Sequence, residues 1–250
     1  VLSGGLRSVR FPYDFARLYS VGFVCMTAVT IFGSQFQLVP IPDEPRPPFY
    51  RDLAASIRSY LHSRPLLLLF GVYTLWYCAL NITPNLSLYS RHAIGRDPKD
   101  ISGLVMAIRF GCKSIGGYAL GAIALRWGLR ISVMMCSVLL VAGTLWGWFA
   151  PGYAFLFAFG LLGAGELGGA YIPNFGVALS RPEMTARNIS LLTLASPASS
   201  FSPPLFGWLA DRFGFGASFS FGLLMALGAI WLTILIRDSD KRSAAQTVSS

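Results

Sequence analysis

The stretch GAIALRWGLR at residues 121–130 returns at residues 207–216 as GWLADRFGFG. The two stretches share glycine at their first and eighth positions, alanine at the fourth and arginine at the sixth. The alignment pairs Gly121 with Gly207, Leu125 with Asp211, Arg126 with Arg212, Gly128 with Gly214 and Arg130 with Gly216. Each stretch lies between two apolar runs, so the repetition concerns how the whole chain is organised.

The composition is that of a membrane protein. Of the 250 residues, 54% are hydrophobic and only 12% are charged, whereas about a quarter of the residues of a soluble domain are charged. The apolar residues form blocks of roughly 20, which is the length that crosses a bilayer as a helix. Because the backbone must satisfy its own hydrogen bonds in lipid, we expect these blocks to be helices and not strands.

Seven apolar spans are predicted, and the connectors between most of them are short. They cover approximately residues 15–39, 65–89, 102–125, 131–150, 153–177, 188–210 and 217–236. The longest connector, residues 40–64, begins with the proline-rich PIPDEPRPP and continues as FYRDLAASIRSYLH. In the second part Phe49, Leu53, Ile57 and Leu61 recur every four residues, which predicts an amphipathic helix on the membrane surface. A soluble linker helix is the alternative.

The net charge of +9 does not indicate nucleic-acid binding. Nearly all basic residues lie in the short connectors, and no basic stripe with interleaved aromatic residues is present in the sequence. If the 40–64 connector is cytoplasmic, eleven basic residues fall on that side and seven on the other. The positive-inside rule therefore favours this orientation, with the C-terminus in the cytoplasm.

The sequence gives no reason to expect an enzyme, a metal site or a cofactor. The four cysteines lie in apolar blocks without a CxxC pair, and both histidines lie in connectors. No span contains a histidine or a paired aspartate well inside it, so the groups of an intramembrane protease are missing from the spans. We expect no cofactor and no metal.

The repeat has a physical meaning in a membrane chain. Three spans separate equivalent points of the two copies, which therefore fall on opposite faces of the membrane. A three-helix unit repeated with inverted topology is typical of secondary transporters. In each copy we expect the first glycine to let two helices approach closely, and the second to allow a turn that other residues resist. The arginine between them is expected at the level of the lipid headgroups.

The repeated pattern resembles the loop signature of the major facilitator superfamily of secondary transporters, where it recurs after the second, fifth, eighth and eleventh helices. Matching Gly121 to the eighth-helix copy and Gly207 to the eleventh implies that the seven spans are helices six to twelve. The implied fold is an all-α polytopic bundle, namely one helix followed by the six-helix C-terminal half with its 3+3 inverted repeat. Helices one to five, and with them most of the N-terminal half, would be missing.

The resemblance implies a division of the chain into four parts. Residues 1–39 hold the last helix of the N-terminal half, 40–64 form the central cytoplasmic loop, 65–236 form the C-terminal half and 237–250 form a cytoplasmic tail. The signature departs from the family at one position, since Leu125 stands where the cytoplasmic copy has aspartate and Asp211 occurs only in the outer copy. A role that needs this aspartate is therefore not available to the inner turn.

Three charged residues, Arg109, Lys113 and Glu166, lie well inside predicted spans. Such charges are costly unless they are paired or hydrated, which makes them candidate functional residues. Arg109 and Lys113 are four residues apart and share a helix face, and the resemblance puts all three residues on helices that line a central cavity. One interpretation is a positively charged cavity for an anionic organic group, with Glu166 as an acceptor of a coupling proton. The other is an ion pair that only holds helices together.

A second group of candidates lies in LWYCALNITPNLSLY, where Tyr77, Asn81 and Asn85 are spaced by four and are predicted to face the substrate. Pro84 is predicted to break this helix and to free a carbonyl near the cavity. Trp76 is interpreted as a packing or lipid-facing residue and not as a ligand contact.

These observations predict a secondary transporter that moves a small organic solute, expected to be anionic, by alternating access. Its partners would be the solute, a coupling proton or ion, the lipid bilayer and the missing N-terminal half, and the expected location is the bacterial cytoplasmic (inner) membrane. Without that half, the chain is not expected to transport in liposomes. A seven-helix receptor is the alternative, although the last span has no lysine for a retinal Schiff base.

Overall fold

The computed structural model of the chain describes residues 13–35 and 49–236, which belong to two compact units. The first unit contains helix α1, Tyr13–Ser34, on which most of the first predicted span falls. The end of that span, the proline-rich segment 40–48 and the predicted tail 237–250 lie outside the described residues.

The second unit is built from helices joined by short turns. In chain order they are α2 (Phe49–His62), α3 (Arg64–Leu80), α4 (Thr83–Ile94), α5 (Pro98–Trp127), α6 (Leu129–Phe149), α7 (Phe157–Gly165), α8 (Gly168–Leu179), α9 (Thr185–Thr193), α10 (Ala195–Ala198), α11 (Ser202–Phe213) and α12 (Phe215–Leu235). Short 3₁₀ turns at Gly152–Leu156 and Pro182–Met184 precede α7 and α9. Residues 13–35 and 49–236 contain no strand, which confirms the predicted all-α class.

Four helical stretches in the described part of the chain are long and apolar enough to cross a membrane. They are Arg64–Ile94, Leu129–Phe149, Gly152–Leu179 and Phe215–Leu235. Each coincides with one predicted span, and with them the chain is an all-α integral membrane protein.

The other three predicted spans are not among these four, although their described residues are largely helical. The predicted span 102–125 lies within α5, whose apolar surface is interrupted by the charges of Arg109 and Lys113. The predicted span 188–210 is divided into α9, α10 and α11, of nine, four and twelve residues. The sequence predicts a bent helix there from Pro197, Pro203 and Pro204, and the division agrees with this, because proline lacks the N–H that a continuing helix needs.

The break predicted at Pro84 is present between α3 and α4. Proline has no N–H to offer to the carbonyl four residues earlier, which belongs to Leu80. The hydroxyl of Thr83 donates to this carbonyl instead, at 2.8 Å. The carbonyl expected to be free for the cavity is therefore already hydrogen-bonded.

A second break, between α7 and α8, was not predicted from the sequence. It lies at Glu166, whereas Pro173 is accommodated inside α8. The N–H of Gly169 donates to the Glu166 carbonyl at 3.0 Å, so the Gly165 carbonyl loses its usual helical partner. The indole N–H of Trp76 donates to that carbonyl at 3.2 Å. The break thus puts an acidic residue at a helix junction that a buried tryptophan stabilises.

The core of the second unit forms where α12 packs against α3 and α6, and where α7 packs against α5 and α6. Its largest fully buried side chains are aromatic: Trp76, Phe155, Phe159, Phe175, Phe206 and Phe219. The glycines of α7 lie against side chains of α5 and α6, so these helices come into close contact. This packing determines which side chains of α5 meet the α7–α8 junction.

The repeated stretch forms two turns of the same conformation. Gly128 joins α5 to α6 with φ 89° and ψ 164°, and Gly214 joins α11 to α12 with φ 84° and ψ 167°. These angles lie in a region that L-residues with a side chain rarely adopt. The role predicted for the second glycine of each copy is confirmed.

The role predicted for the first glycine is not. A Cβ atom on Gly207 would meet nothing within 4 Å, and one on Gly121 would make only an ordinary contact with the Tyr171 hydroxyl, at 3.7 Å. Within the described residues neither position is a close helix crossing. Tight crossings occur instead at positions such as Gly160, Gly163, Gly165 and Gly168, and the last three belong to LLGAGELGGAY, whose glycines the sequence indicates for close packing.

Alanine at Gly214 is expected to lower the free energy of unfolding by about 1–2 kcal/mol, because its Cβ strains the positive-φ turn. Alanine at Gly207, in the same stretch, should leave stability unchanged or raise it slightly, since it has open space and a better helix propensity. Thermal unfolding in detergent, followed by circular dichroism, would compare the two. Equal stability of the two variants would contradict the assignment of the turn.

The arginines of the first copy have different surroundings. The guanidinium of Arg130 donates to the carbonyls of Thr233 at 3.2 Å and Ile234 at 2.7 Å, near the C-terminal end of α12. A cation at this position compensates the negative end of the helix dipole. Arg126 stacks over the Trp127 ring at 5.2 Å. Arg130 thereby links the first turn to the last helix.

The fifth and sixth positions of the signature are exposed in both copies. Leu125 is 92% exposed, and Asp211 and Arg212 are exposed in the second copy. The departure from the family pattern at Leu125 therefore falls on a side chain that contacts little within the described residues. Asp211 occupies an equally open position.

Helix α2 confirms the amphipathic helix predicted within the 40–64 connector. Ser56 and Tyr60 are its buried residues, whereas Ile57 and Leu61 are exposed. The predicted apolar stripe is therefore not the face that contacts α3 and α9. The side chains of Phe49 and Leu53, at the other end of the stripe, lie outside the described part.

Candidate charged site

The three charged residues predicted inside the spans form one cluster. Arg109 and Lys113 come from α5, and Glu166 comes from the junction of α7 and α8. The Arg109 guanidinium forms an ion pair with Oε1 of Glu166, and Lys113 Nζ donates to its Oε2 at 3.1 Å. The side chains of Arg109, Lys113 and Glu166 are 24%, 33% and 11% exposed. The cluster is thus part-buried between helices.

The helix spacing and the close crossing explain why these side chains meet. Residues four apart lie on the same face of a helix, so the two cations of α5 point to the same neighbour. That neighbour is α7, where a Cβ atom on Gly163 would lie 2.5 Å from the Arg109 carbonyl oxygen. Only glycine permits this approach, and it brings α5 close to the Glu166 carboxylate three residues further along.

The charges of the cluster do not cancel. Two cations share one carboxylate, and each carboxylate oxygen faces one of them. The Nε of Arg109 is buried and has no hydrogen-bond partner among the described residues. A buried donor without a partner is unfavourable and becomes satisfied when an acceptor binds. An oxygen anion that reached this Nε would supply the missing acceptor.

The other three candidate residues make contacts elsewhere. The hydroxyl of Tyr77 is 3.1 Å from that of Tyr73 on the same helix. The side-chain amides of Asn81 and Asn85 donate to the hydroxyls of Ser202 at 2.8 Å and Ser218 at 2.9 Å. None of these described contacts reaches the charged cluster. The two asparagines connect the α3–α4 junction and α4 to α11 and α12. Trp76 is 1% exposed, which agrees with its interpretation as a packing residue.

The partners of the two asparagines were missed at the level of sequence. Ser202 and Ser218 are ordinary serines in apolar segments, and nothing in the spacing identifies them as partners of asparagine. For the charged cluster, the glycines of LLGAGELGGAY already predict close packing around Glu166. The sequence could not show which helix would contact that segment.

Among the residues that the structure describes, no group of three His, Cys, Asp or Glu side chains is placed to hold a metal ion. The described cysteines Cys78, Cys112 and Cys136 are free thiols. Within the described bundle, the cluster of Arg109, Lys113 and Glu166 is the place where part-buried charges converge.

Fold and site together define an all-α integral membrane protein with two cations and one carboxylate gathered between its helices. No protein-family model matches the sequence, and no curated protein matches it. The physical arrangement of the chain is therefore the basis for any proposal of function.

Proposed function

We propose that the chain is the C-terminal part of a secondary transporter of the major facilitator type, which moves a small anionic organic solute by alternating access. The observation that carries the proposal is the convergence of Arg109 and Lys113, from α5, on Glu166 within the candidate span Gly152–Leu179. Charges inside membrane spans are expensive and usually mark a substrate or ion pathway. An excess of one positive charge favours an anionic substrate.

The repeated turns support the proposed family. Gly128 and Gly214 occupy the same position of the shared stretch, and their φ angles are 89° and 84°. Similar stretches with similar turns are expected of two copies of one three-helix unit. In transporters built from inverted repeats, the substrate site lies near the bilayer midplane between such units.

The cluster also provides a means of coupling. As long as Glu166 is ionised, it competes with a substrate anion for Arg109 and Lys113. A proton on Glu166 would leave both cations available to the substrate. The proposal therefore includes a proton that binds together with the anion, and Glu166 as the residue that receives it.

Binding of solutes by the purified chain in nanodiscs tests the proposal. The panel would contain carboxylic acids, neutral sugars and cationic drugs of similar size, and affinity would be measured by isothermal titration calorimetry. We expect binding of a carboxylic acid, and a loss of at least about tenfold in Arg109→Gln, which corresponds to about 1.4 kcal/mol.

The matched control is Arg96→Gln, which removes the same charge from an exposed position outside the cluster. Its affinity should stay within about twofold of the unchanged chain. Preferential binding of neutral or cationic solutes, or a full affinity in Arg109→Gln, would contradict the proposed site.

A further inference from the structure

A polar cavity lies away from the charged cluster, between helix α2 and the turn that joins α8 to α9. Its volume is about 450 Å³. It is lined by Ser59, His62, Ser63, Leu66, Leu179, Ser180, Arg181, Met184 and Asn188. Cavities of about 300–1,000 Å³ are typical of sites for small ligands.

The charged and titratable residues of this lining are all basic. Arg181 and His62 line the cavity, and no carboxylate is among its lining residues. Glu183 is two positions from Arg181, but it is exposed and does not line the cavity. No ion pair of Arg181 is found among the described residues. The cavity therefore has positive character that the described chain does not neutralise.

The neutral side chains of the lining supply further donors. The hydroxyl of Ser63, at the start of α3, makes no capping hydrogen bond. Asn188 is 6% exposed and donates one amide N–H to Ser180 at 3.0 Å, which leaves its second N–H. Nδ1 of His62 donates to the Arg58 carbonyl at 2.7 Å, which holds the ring at the edge of the cavity.

The walls of the cavity are held in place by hydrogen bonds of their own. The hydroxyl of Tyr60 donates to the Leu66 carbonyl at 3.1 Å and fixes α2 against the start of α3. Burial raises the pKa of Tyr60 to about 12, so this donor keeps its proton at physiological pH. Ser180 donates to the Gly176 carbonyl at 2.7 Å and fixes the opposite wall. A ligand would therefore find both walls of the cavity already positioned.

We propose that this cavity binds a phosphate group. A guanidinium matches the geometry of phosphate oxygens, and hydroxyl and amide donors can surround the remaining oxygens. Ile57 and Leu61, on the same helix α2, are apolar and exposed, and such side chains can contact acyl chains. The phosphate group therefore comes from an anionic phospholipid or from a soluble phosphate ester, and both would use the same donors.

Two experiments on the purified chain in detergent distinguish these sources. Native mass spectrometry would compare retention of phosphatidylglycerol with that of phosphatidylcholine, whose choline cancels the phosphate charge. Isothermal titration calorimetry without added lipid would measure binding of inorganic phosphate and glycerol phosphate. Preference for phosphatidylglycerol alone identifies a lipid site, and binding of the soluble phosphates identifies a soluble ligand; either result supports the proposal.

The decisive variant is Arg181→Gln, which changes an exposed side chain and should not disturb folding. We expect it to reduce the selective binding about tenfold. Ser59→Phe, which fills the cavity without a change in charge, should do the same. Arg58→Gln removes a charge from the same helix outside the lining and should keep affinity within about twofold. The proposal is overturned if no phosphate probe binds above the phosphatidylcholine level, or if Arg181→Gln and Ser59→Phe bind as well as Arg58→Gln.

Discussion

Replacement of Glu166 by glutamine is expected to lower the free energy of unfolding by about 2–3 kcal/mol. Removal of one partner from a buried ion pair leaves the other charge uncompensated, which is strongly destabilising. Here two cations, Arg109 and Lys113, would remain side by side. Because both are partly exposed, water can hydrate them, and we therefore expect a loss at or below the lower end of the usual range of about 3–5 kcal/mol. Reversible unfolding in sodium dodecyl sulfate, followed by circular dichroism, would measure the change.

A triple apolar variant separates stability from function at the same cluster. Exchange of a whole buried ion network for apolar residues of similar volume is often neutral or stabilising. Arg109→Met, Lys113→Met and Glu166→Leu together should therefore restore most of the stability that Glu166→Gln loses. If the cluster binds the solute, this stable variant should bind no carboxylic acid.

The outcome decides between the two interpretations of the cluster. A stable triple variant that still binds the acid would show that the charges only hold helices together. Unchanged stability in Glu166→Gln would contradict the ion pairs themselves. As a control, Glu183→Gln removes an exposed carboxylate from the 3₁₀ turn and should leave the unfolding free energy within about 0.5 kcal/mol.

Alanine at Gly163 is expected to destabilise the chain by about 2–3 kcal/mol and to weaken solute binding. Its Cβ would lie 2.5 Å from the Arg109 carbonyl oxygen and 2.7 Å from the Arg109 Cγ. The first of these atoms is backbone, so α5 and α7 must separate, and overpacking of this kind typically costs about 1–3 kcal/mol. The separation would move Arg109 away from the carboxylate.

Gly111→Ala is the matched control on α5, two positions beyond Arg109. A Cβ there would meet nothing within 4 Å, and alanine is a better helix former than glycine by about 1 kcal/mol. Its thermal midpoint in detergent should equal or exceed that of the unchanged chain. If Gly163→Ala were as stable as Gly111→Ala, the close crossing of α5 and α7 would be contradicted.

Much of the local structure was predictable because it depends on short-range chemistry. Apolar blocks of about 20 residues have to be helices in lipid, and residues 13–35 and 49–236 are helical without strands. The prolines at 84, 197 and 203 indicated breaks or bends, since proline removes a helical N–H wherever it occurs. The second glycine of each repeat was predicted at a turn, and Gly128 and Gly214 both have positive φ.

The errors concern contacts between distant residues. Gly121 and Gly207 resemble helix-crossing glycines in sequence, but no close neighbour reaches them within the described bundle. The break at Glu166 contains no proline. It is stabilised by Trp76, which donates to the Gly165 carbonyl from 89 residues earlier in the chain. The spacing of Asn81 and Asn85 with Tyr77 predicted that they face the substrate, but the partners of the two asparagines are serines of α11 and α12.

The sequence by itself determined that the chain is helical and membrane-embedded, where its turns lie, and which charges are buried at a cost. These properties follow from residue composition, from the spacing of residues along a helix and from the limits that lipid sets on the backbone. The tertiary structure decided that Arg109, Lys113 and Glu166 share one cluster while the two asparagines bind elsewhere. The reason is that helix packing brings together residues far apart in sequence, and which helix lies against which depends on side-chain fit at places such as Gly163.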